Sequence, residues 1–340
     1  MKKGLLLVLL LILVVGCASL EEITIEMPVP EDIPEMIVEE EPVEKAANKE
    51  TIDNDKCLRE FSPQYSSGTY YEGPLYDAHF HLPNLVDAHT AGHITGASVT
   101  DPILGKDVNI DKIICNFEKE KVIGVIGFAI GSDLELDKTI TNAKLIKDYS
   151  PMIELFLMPV TFSTDSLKSV QESDEGLFSG YGEIAFYYGA QKNENPDDQK
   201  YMDMYAVAEE NNLVVMVHPD TNQRTQLENA IKKKPNVMFL LHGWEIENYV
   251  ADLMEKYSNV YYSLDAILIR PANGGPFLYT SQGTSEFKSI ISQNYGIAMN
   301  KVVSKWKPII EKYPDQVLWG TDRGYLWHYD EEVGGILEEF

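Results

Sequence analysis

From residue 75 onward the chain alternates short apolar segments with polar segments of helical period, and this alternation limits the possible folds most strongly. The apolar, β-branched segments predict eight strands, at residues 75–81, 122–130, 153–162, 180–186, 213–218, 237–242, 260–265 and 317–322. Nearly all-apolar strands separated by helices are typical of a parallel sheet covered by helices. Eight such units over about 280 residues predict an α/β fold, a (β/α)8 TIM barrel. A doubly wound open sheet is the alternative.

The polar segments between these strands predict helices over residues 109–121, 133–149, 165–175, 197–211, 223–234, 245–257 and 286–313. After the eighth predicted strand only eighteen residues remain, which is room for a short last helix within 330–340. A complete barrel usually covers each strand with a full helix. We therefore expect the last helix to be short or the chain to be truncated at its carboxyl terminus.

The first seventeen residues are predicted to be a targeting segment. Lys2 and Lys3 precede an apolar run at residues 5–15, which as a helix rises only about 16 Å, short of the ~30 Å hydrocarbon core. This pattern is typical of a secretory signal. Gly16 before Cys17 resembles a lipobox, so residues 1–17 are predicted to be a lipoprotein signal peptide with Cys17 as the lipidated residue. A plain signal peptide or an uncleaved anchor is the alternative.

Residues 18–56 are rich in Glu and Pro and predict an acidic, solvated tether. The tether leads to a single predicted catalytic domain at residues 57–340. This order predicts an extracytoplasmic protein attached to the membrane through lipidated Cys17, at the outer membrane if the host has one. In that compartment Cys57 and Cys115 are permitted to form a disulfide, with free thiols as the alternative.

The charge balance bears on the partners that the chain can bind. The chain has 54 Asp and Glu against 28 Lys and Arg, a formal net charge of −26. Such a chain is repelled by phosphate backbones, so no nucleic acid is expected as a partner. We expect a small-molecule substrate instead.

Polar residues of metal-binding type stand at the ends of five predicted strands. His79 and His81 end the first strand, where residues two apart point to the same side. The other four are Glu183, His218, His242 and Asp322, at the fourth, fifth, sixth and eighth strands. Barrel enzymes build their active sites at these carboxyl ends. Imidazoles with carboxylates favour Zn²⁺, Mn²⁺, Fe²⁺ or Ni²⁺ over Ca²⁺ or Mg²⁺. The alternative is that each residue only caps its own strand.

This order of residues over 75–325 resembles that of the metal-dependent hydrolases of the amidohydrolase superfamily. The resemblance implies metal ligands at His79, His81, Glu183, His218, His242 and Asp322. Gly182-Glu183-Ile184 looks like the TatD-like branch. By contrast, His242-Gly243 and Gly320-Thr321-Asp322 look more like the amidohydrolase-related branch, which also includes nonoxidative decarboxylases.

The activity implied by the resemblance is hydrolysis of a small ester, amide, lactone or similar bond by metal-activated water. It implies one or two divalent transition metals, zinc first, with Asp322 as the catalytic residue that accepts the proton of the water. Two alternatives stay open. One is a mononuclear-metal nonoxidative decarboxylase on the same barrel, and the other is a non-catalytic, metal- or solute-binding lipoprotein.

Substrate contacts are expected from residues next to these positions. Arg270 and Arg323 are candidates for binding a substrate anion, and Trp244 is a candidate for the pocket wall. Surface salt bridges and ordinary packing are their alternatives. Specificity is expected to lie in the loops at 83–108 and 267–285. The remaining histidines, which are His89, His93 and His328, are expected to be exposed loop residues.

Overall fold

A computed structural model of the chain describes residues 64–65, 71, 73–82, 98–100, 107–131, 136–159, 163–265, 270, 277–324 and 326–339. The predicted signal segment and tether lie outside these residues, as do Cys17, Cys57, His89 and His93. Within the described part of the chain, no helix is both long enough and apolar enough to cross a membrane.

Eight parallel strands form the main sheet and correspond one to one to the eight predicted segments. In chain order the strands are β1 (Leu75–His81), β2 (Ser98–Thr100), β3 (Asp107–Asn109), β4 (Val122–Gly131), β5 (Ile153–Pro159), β6 (Gly180–Ala185), β7 (Val214–His218), β8 (Met238–Leu241), β9 (Val260–Asp265) and β10 (Val317–Gly320). The main sheet runs β1-β4-β5-β6-β7-β8-β9-β10, and β2 with β3 is a separate antiparallel pair. This sequential order excludes the doubly wound alternative, whose strand order reverses within the sheet.

Backbone contacts bring the two edges of the main sheet together. The amide of His81 donates to the carbonyl of Arg323 at 3.1 Å, and the amide of Asp322 donates to the carbonyl of His79 at 2.8 Å. Phe80 also pairs with Arg323 as a parallel bridge. The sheet is therefore a nearly closed barrel, which confirms the predicted fold class.

The helices lie between the strands, close to their predicted positions. They are α1 (Ile110–Lys119), α2 (Leu136–Tyr149), α3 (Thr164–Ser173), α4 (Gln199–Glu210), α5 (Arg224–Lys233), α6 (Val250–Lys256), α7 (Phe277–Thr280), α8 (Thr284–Lys312) and α9 (Glu331–Glu338). Alternate residues of each strand face opposite sides. In β7, Met216 packs inside the barrel, whereas Val215 and Val217 pack in the layer between strands and helices.

Three features of the described residues add to the predicted elements. The β2–β3 pair and the short α7 lie in the segments after β1 and β9 that were expected to be loops. Cys115 in α1 is disulfide-bonded, and its partner lies outside the described residues. The last helix, α9, has eight residues and packs its apolar side against α7 and α8.

Candidate metal centre

The six residues predicted as metal ligands lie together at the carboxyl-terminal end of the barrel. Together with Asp265, which was not predicted, their donor atoms form three overlapping groups. Within each group the atoms lie within 4.8 Å of one another, and the groups are His79, His242, Asp265 and Asp322; His79, His81 and Glu183; and Glu183, His218 and His242. All of these residues are buried. Since β8 ends at Leu241 and β10 ends at Gly320, His242 and Asp322 stand just past their strands rather than within them.

The first part of the centre, which we call the β1 half, consists of His79, His81 and Asp322. Oδ1 of Asp322 lies 3.2 Å from Nε2 of His79 and 3.2 Å from Nε2 of His81. The two imidazole rings are 5.1 Å apart, as expected for residues i and i+2 of one strand. The backbone of Asp322 has a φ of 51°, in the left-handed region. Asp322 therefore needs support from its neighbours to hold this conformation.

The second part, which we call the β7 half, consists of His218 and His242. Oε1 of Glu183 lies 3.0 Å from Nδ1 of His218 and 2.7 Å from Nε2 of His242. The other oxygen of Glu183, Oε2, faces the β1 half and lies 3.8 Å from Nε2 of His79 and 3.9 Å from that of His81. Glu183 thus lies between the two halves and presents one carboxylate oxygen to each.

Two carboxylates of the centre were missed by the sequence analysis. Oδ2 of Asp265 lies 2.9 Å from Nδ1 of His79, and Oε2 of Glu245 lies 2.9 Å from Nε2 of His218. Asp265 is the last residue of β9. It thus carried the same signal as the predicted ligands, a polar residue at a strand end. Glu245 lies in a 3₁₀ helix, Trp244–Ile246, whereas the sequence placed it only at the start of a predicted helix over 245–257.

Gly243 makes the contact between His218 and Glu245 possible. Its φ of 99° is in the left-handed region that favours glycine. A Cβ atom at this position would lie 2.3 Å from Nε2 of His218 and 2.9 Å from Oε2 of Glu245. Both the backbone conformation and the space therefore require glycine next to His242.

Charge interactions shift the pKa of several groups. Burial raises the pKa of Glu183, but the charges of His242 and His218 and the hydrogen bonds from both rings together outweigh burial and hold that pKa well below its usual range. Burial likewise raises the pKa of Asp322, but the charges of His79, His81 and His242 and the hydrogen bond with His81 together lower it further than burial raises it. His79 shows the reverse: burial lowers its pKa, but the charges of Asp322 and Asp265 and the hydrogen bond to Asp265 together raise that pKa above its usual value. The carboxylates are thus ionised and attract positive charge.

A buried ion network stands behind the β1 half. Asp77 accepts hydrogen bonds from the amide of Thr321 at 3.0 Å and from its hydroxyl at 2.6 Å. Nε of Arg323 donates to the Thr321 hydroxyl at 3.2 Å, and its two Nη atoms donate to both oxygens of Glu120 at 3.1 and 2.8 Å. Arg323 is 1% exposed. We therefore correct its expected role: its guanidinium forms an internal ion pair and does not face a substrate.

His328 also differs from its prediction, because it is fully buried rather than exposed. The amide of Gly324 donates to its Nδ1 at 3.1 Å, and its Nε2 lies 3.2 Å from the carbonyl oxygen of Leu278 in α7. The neighbouring Tyr279 donates its hydroxyl to the carbonyl of Asp322. The hydrogen bond from Tyr279 in α7 supports the backbone of Asp322. No local sequence pattern predicted this contact.

Trp244 and Arg270 lie together near the β7 half. The guanidinium carbon of Arg270 is 4.3 Å from the ring centre of Trp244, and Nη2 of Arg270 lies 3.6 Å from Oε1 of Glu247. Trp244 is 44% exposed, so one side of this pair is open to solvent. The ring centre of Tyr187 lies 4.1 Å from that of His218, with the two planes tilted by 40°. Aromatic side chains thus flank the β7 half.

The donor set fits a divalent transition metal. Nε2 of His79 is buried without a hydrogen-bond partner of good geometry, although carboxylate oxygens of Asp322 and Glu183 lie 3.2 and 3.8 Å away. A nitrogen lone pair and carboxylate oxygens that face one another repel unless a proton or a cation lies between them. Imidazole nitrogens with carboxylate oxygens are donors that zinc and its neighbours in the first transition row accept.

No protein-family model matches the chain, and no curated protein matches it either. Solved structures do match. An amidohydrolase from Burkholderia multivorans with bound zinc is 13% identical, with a TM-score of 0.50 over 78% of this chain and 90% of that chain. At this identity the likeness shows the fold, a barrel of the same kind.

Two further solved structures are similar at lower TM-scores. A probable 2-pyrone-4,6-dicarboxylic acid hydrolase from Acinetobacter baumannii with citric acid bound is 12% identical, with a TM-score of 0.48 over 76% of this chain and 89% of that chain. A 2,6-dihydroxybenzoate decarboxylase complexed with 2,6-dihydroxybenzoate is 11% identical, with a TM-score of 0.46 over 78% and 92%. Hydrolysis and decarboxylation are both compatible with the buried His, Asp and Glu cluster.

Proposed function

We propose that the protein is a metal-dependent hydrolase that cleaves a small ester, amide, lactone or similar bond. The observation that carries this proposal is the placement of Glu183 between two pairs of imidazoles, with one carboxylate oxygen toward each pair. When bound, a divalent transition metal supplies Lewis acidity and makes water a nucleophile near neutral pH.

The residues of the centre form two sets of candidate metal ligands. In the β1 half, His79, His81 and Asp322 would hold one ion, and in the β7 half, His218 and His242 would hold a second. Glu183 would serve both ions. Asp322 lies beside both imidazoles of the β1 half and is ionised, so it is the residue that takes the proton of the attacking water and returns it to the leaving group.

The charge balance favours two ions. Four carboxylates contact the four imidazoles directly, and they belong to Glu183, Glu245, Asp265 and Asp322. If all four imidazoles are neutral, two divalent cations balance these four negative charges, whereas one cation leaves two charges in a buried site. Uncompensated buried charge is costly. We therefore favour a binuclear hydrolase over the mononuclear decarboxylase.

The metal content of the purified full-length protein tests this proposal. Elemental analysis is expected to give about two equivalents of a transition metal, zinc first, and a His79→Ala/His81→Ala variant is expected to lose at least one. One equivalent that is lost in the variant would favour the decarboxylase instead. A folded protein that binds no metal even after reconstitution would contradict both enzymes and would leave a solute-binding lipoprotein.

We propose a small molecule as the substrate, contacted by Arg270 and Trp244. Support comes from the guanidinium that lies on the exposed indole ring next to the β7 half. Of the two arginines considered for an anionic group of the substrate, Arg270 keeps this role, because its side chain is partly exposed, whereas Arg323 is buried and hydrogen-bonded to both oxygens of Glu120.

We also propose that the protein is an extracytoplasmic lipoprotein anchored through Cys17. The apolar run before Cys17 supports this proposal, and so does the disulfide at Cys115, since disulfides persist in oxidising compartments. The wild-type protein is expected in the detergent phase on Triton X-114 partition, and Cys17→Ser in the aqueous phase. Equal partition of the two proteins would contradict the anchor.

A further inference from the structure

Asp265 occupies a space that its neighbouring strand leaves open. It ends β9 and pairs in register with Gly320 at the end of β10. A Cβ atom at position 320 would lie 2.2 Å from Oδ1 of Asp265 and 2.5 Å from Oγ of Ser263. Because Gly320 has no side chain, the Asp265 carboxylate has room to lie next to the imidazole of His79.

The two oxygens of this carboxylate have separate partners. Oδ1 accepts a hydrogen bond from the hydroxyl of Ser263, two residues earlier on the same strand. Oδ2 lies 2.9 Å from Nδ1 of His79, at hydrogen-bond geometry. Nδ1 of His242 lies 3.1 Å from the same oxygen, but its angle is outside the range of a good hydrogen bond. His79 is thus the imidazole to which Asp265 is best aligned.

We propose that Asp265 is the positioning residue of the centre, which holds His79 in the tautomer that carries its proton on Nδ1. An ionised carboxylate can only accept a hydrogen bond, so Nδ1 of His79 must be the donor. Nε2 is then left with its lone pair, on the side of Asp322 and Glu183. Carboxylates that orient metal-binding histidines in this way are a general device of metal sites.

Asp265 acts through His79 and does not itself bind the metal in this proposal. Its aligned oxygen is used by the Nδ1 proton of His79, and its other oxygen is used by Ser263. Both oxygens of Asp265 therefore have a hydrogen-bond partner, and neither partner is Nε2 of His79. The inference rests on the proposed metal-dependent function, because the tautomer of His79 serves a metal only if the centre binds one. The tautomer itself can be observed without any metal.

The tautomer is tested first, by long-range ¹H–¹⁵N correlation on the full-length, metal-free protein with ¹⁵N-labelled histidine, at a pH raised until His79 carries a single proton. The signal of His79 is assigned by its loss in His79→Gln. Wild type is expected to show the proton on Nδ1. Asp265→Ala is expected to lose this preference, whereas Asp265→Asn, whose amide oxygen can still accept the bond, is expected to keep it. A wild-type proton on Nε2, or an unchanged preference in Asp265→Ala, overturns the proposal even if the protein binds no metal.

Metal binding then separates a positioning residue from a ligand, with Zn²⁺ and Co²⁺ as probes. Asp265→Ala is expected to weaken Zn²⁺ binding about 10- to 100-fold, and Asp265→Asn is expected to restore most of it. The visible spectrum of saturating Co²⁺ is expected to be the same in wild type and Asp265→Asn. A changed Co²⁺ spectrum in Asp265→Asn would make Asp265 a ligand and overturn the positioning role. Ser263→Ala is the matched control, because it removes only the contact to Oδ1 and is expected to leave the His79 tautomer unchanged.

Discussion

Behind the β1 half, a row of buried charges joins Asp77, Arg323 and Glu120, whereas the β7 half is held by local contacts around Gly243. Arg323 and Glu120 are 203 positions apart, and their ion pair connects the end of β10 to the end of α1. His218 and Glu245 are only 27 positions apart and belong to successive strand–helix connections. The first set of contacts therefore helps close the barrel, and the second only shapes one side of the site.

This difference predicts that damage to the two halves has different consequences. Loss of a contact behind the β1 half is expected to cost stability throughout the protein, because the first and last strands of the barrel depend on it. Loss of a contact in the β7 half is expected to weaken metal binding more than it weakens the fold. Three substitutions, in order of decreasing effect, examine this contrast.

Arg323→Met is expected to have the largest effect on stability. It leaves the carboxylate of Glu120 buried without its partner, and removal of one member of a buried ion pair costs about 3–5 kcal/mol. The free energy of unfolding in urea measures this loss. Lys312→Met is the matched control, because it breaks an exposed ion pair with Glu255, and exposed pairs contribute little to stability. Equal losses in the two variants would contradict the structural role of Arg323.

Gly243→Ala is expected to act mainly on metal binding in the β7 half. The new methyl group would displace His218, which costs about 1–3 kcal/mol of stability and weakens Zn²⁺ binding about 10- to 100-fold. Zinc titration and urea unfolding measure the two effects. Gly176→Ala is the control, since Gly176 also has a positive φ, of 76°, but nothing lies within 4 Å of its Cβ position. The idea fails if the two variants bind Zn²⁺ equally well.

Glu338→Gln is expected to have the smallest effect, visible as a change in pH dependence behind the β1 half. Burial, with the charge of Glu120, raises the pKa of Glu338 to about 7 from its usual 4.5. The folded state thus binds the proton more tightly than the unfolded state. The stability that this protonation contributes is present below about pH 4.5 and is lost as the pH rises through about 7.

Unfolding free energies at pH 5 and pH 8 test this expectation. Wild type is expected to lose about 1–2 kcal/mol more than Glu338→Gln over this range, after allowance for partial solvent screening. Glu311→Gln, an exposed glutamate on α8, is expected to follow wild type. If Glu338→Gln loses as much stability as wild type between pH 5 and pH 8, burial and the charge of Glu120 do not raise the pKa of Glu338.

The eight strands and their order could be predicted because they depend on local pattern. Apolar segments bounded by helical periods identify each strand, and a right-handed connection between parallel neighbours leaves few arrangements. The position of the six predicted ligands also followed from local pattern, since each stands within two residues of a strand end. Carboxyl ends of parallel strands meet at one face of a barrel, so residues there come together whatever the loops do.

The partners of those ligands depend instead on contacts between distant segments. Asp265 and His79 are 186 positions apart, and no pattern within either strand indicates that one oxygen of Asp265 faces one nitrogen of His79. The two arginines make the same point. Arg270 and Arg323 look alike in sequence, yet Arg323 is buried against Glu120 while Arg270 lies on an exposed indole. Periodicity and strand ends were enough to locate the cluster of imidazoles and carboxylates, but side-chain direction and burial are set by packing among segments far apart in the chain. Only that packing decided that Arg323 is buried behind the centre and that Arg270 stays partly exposed beside it.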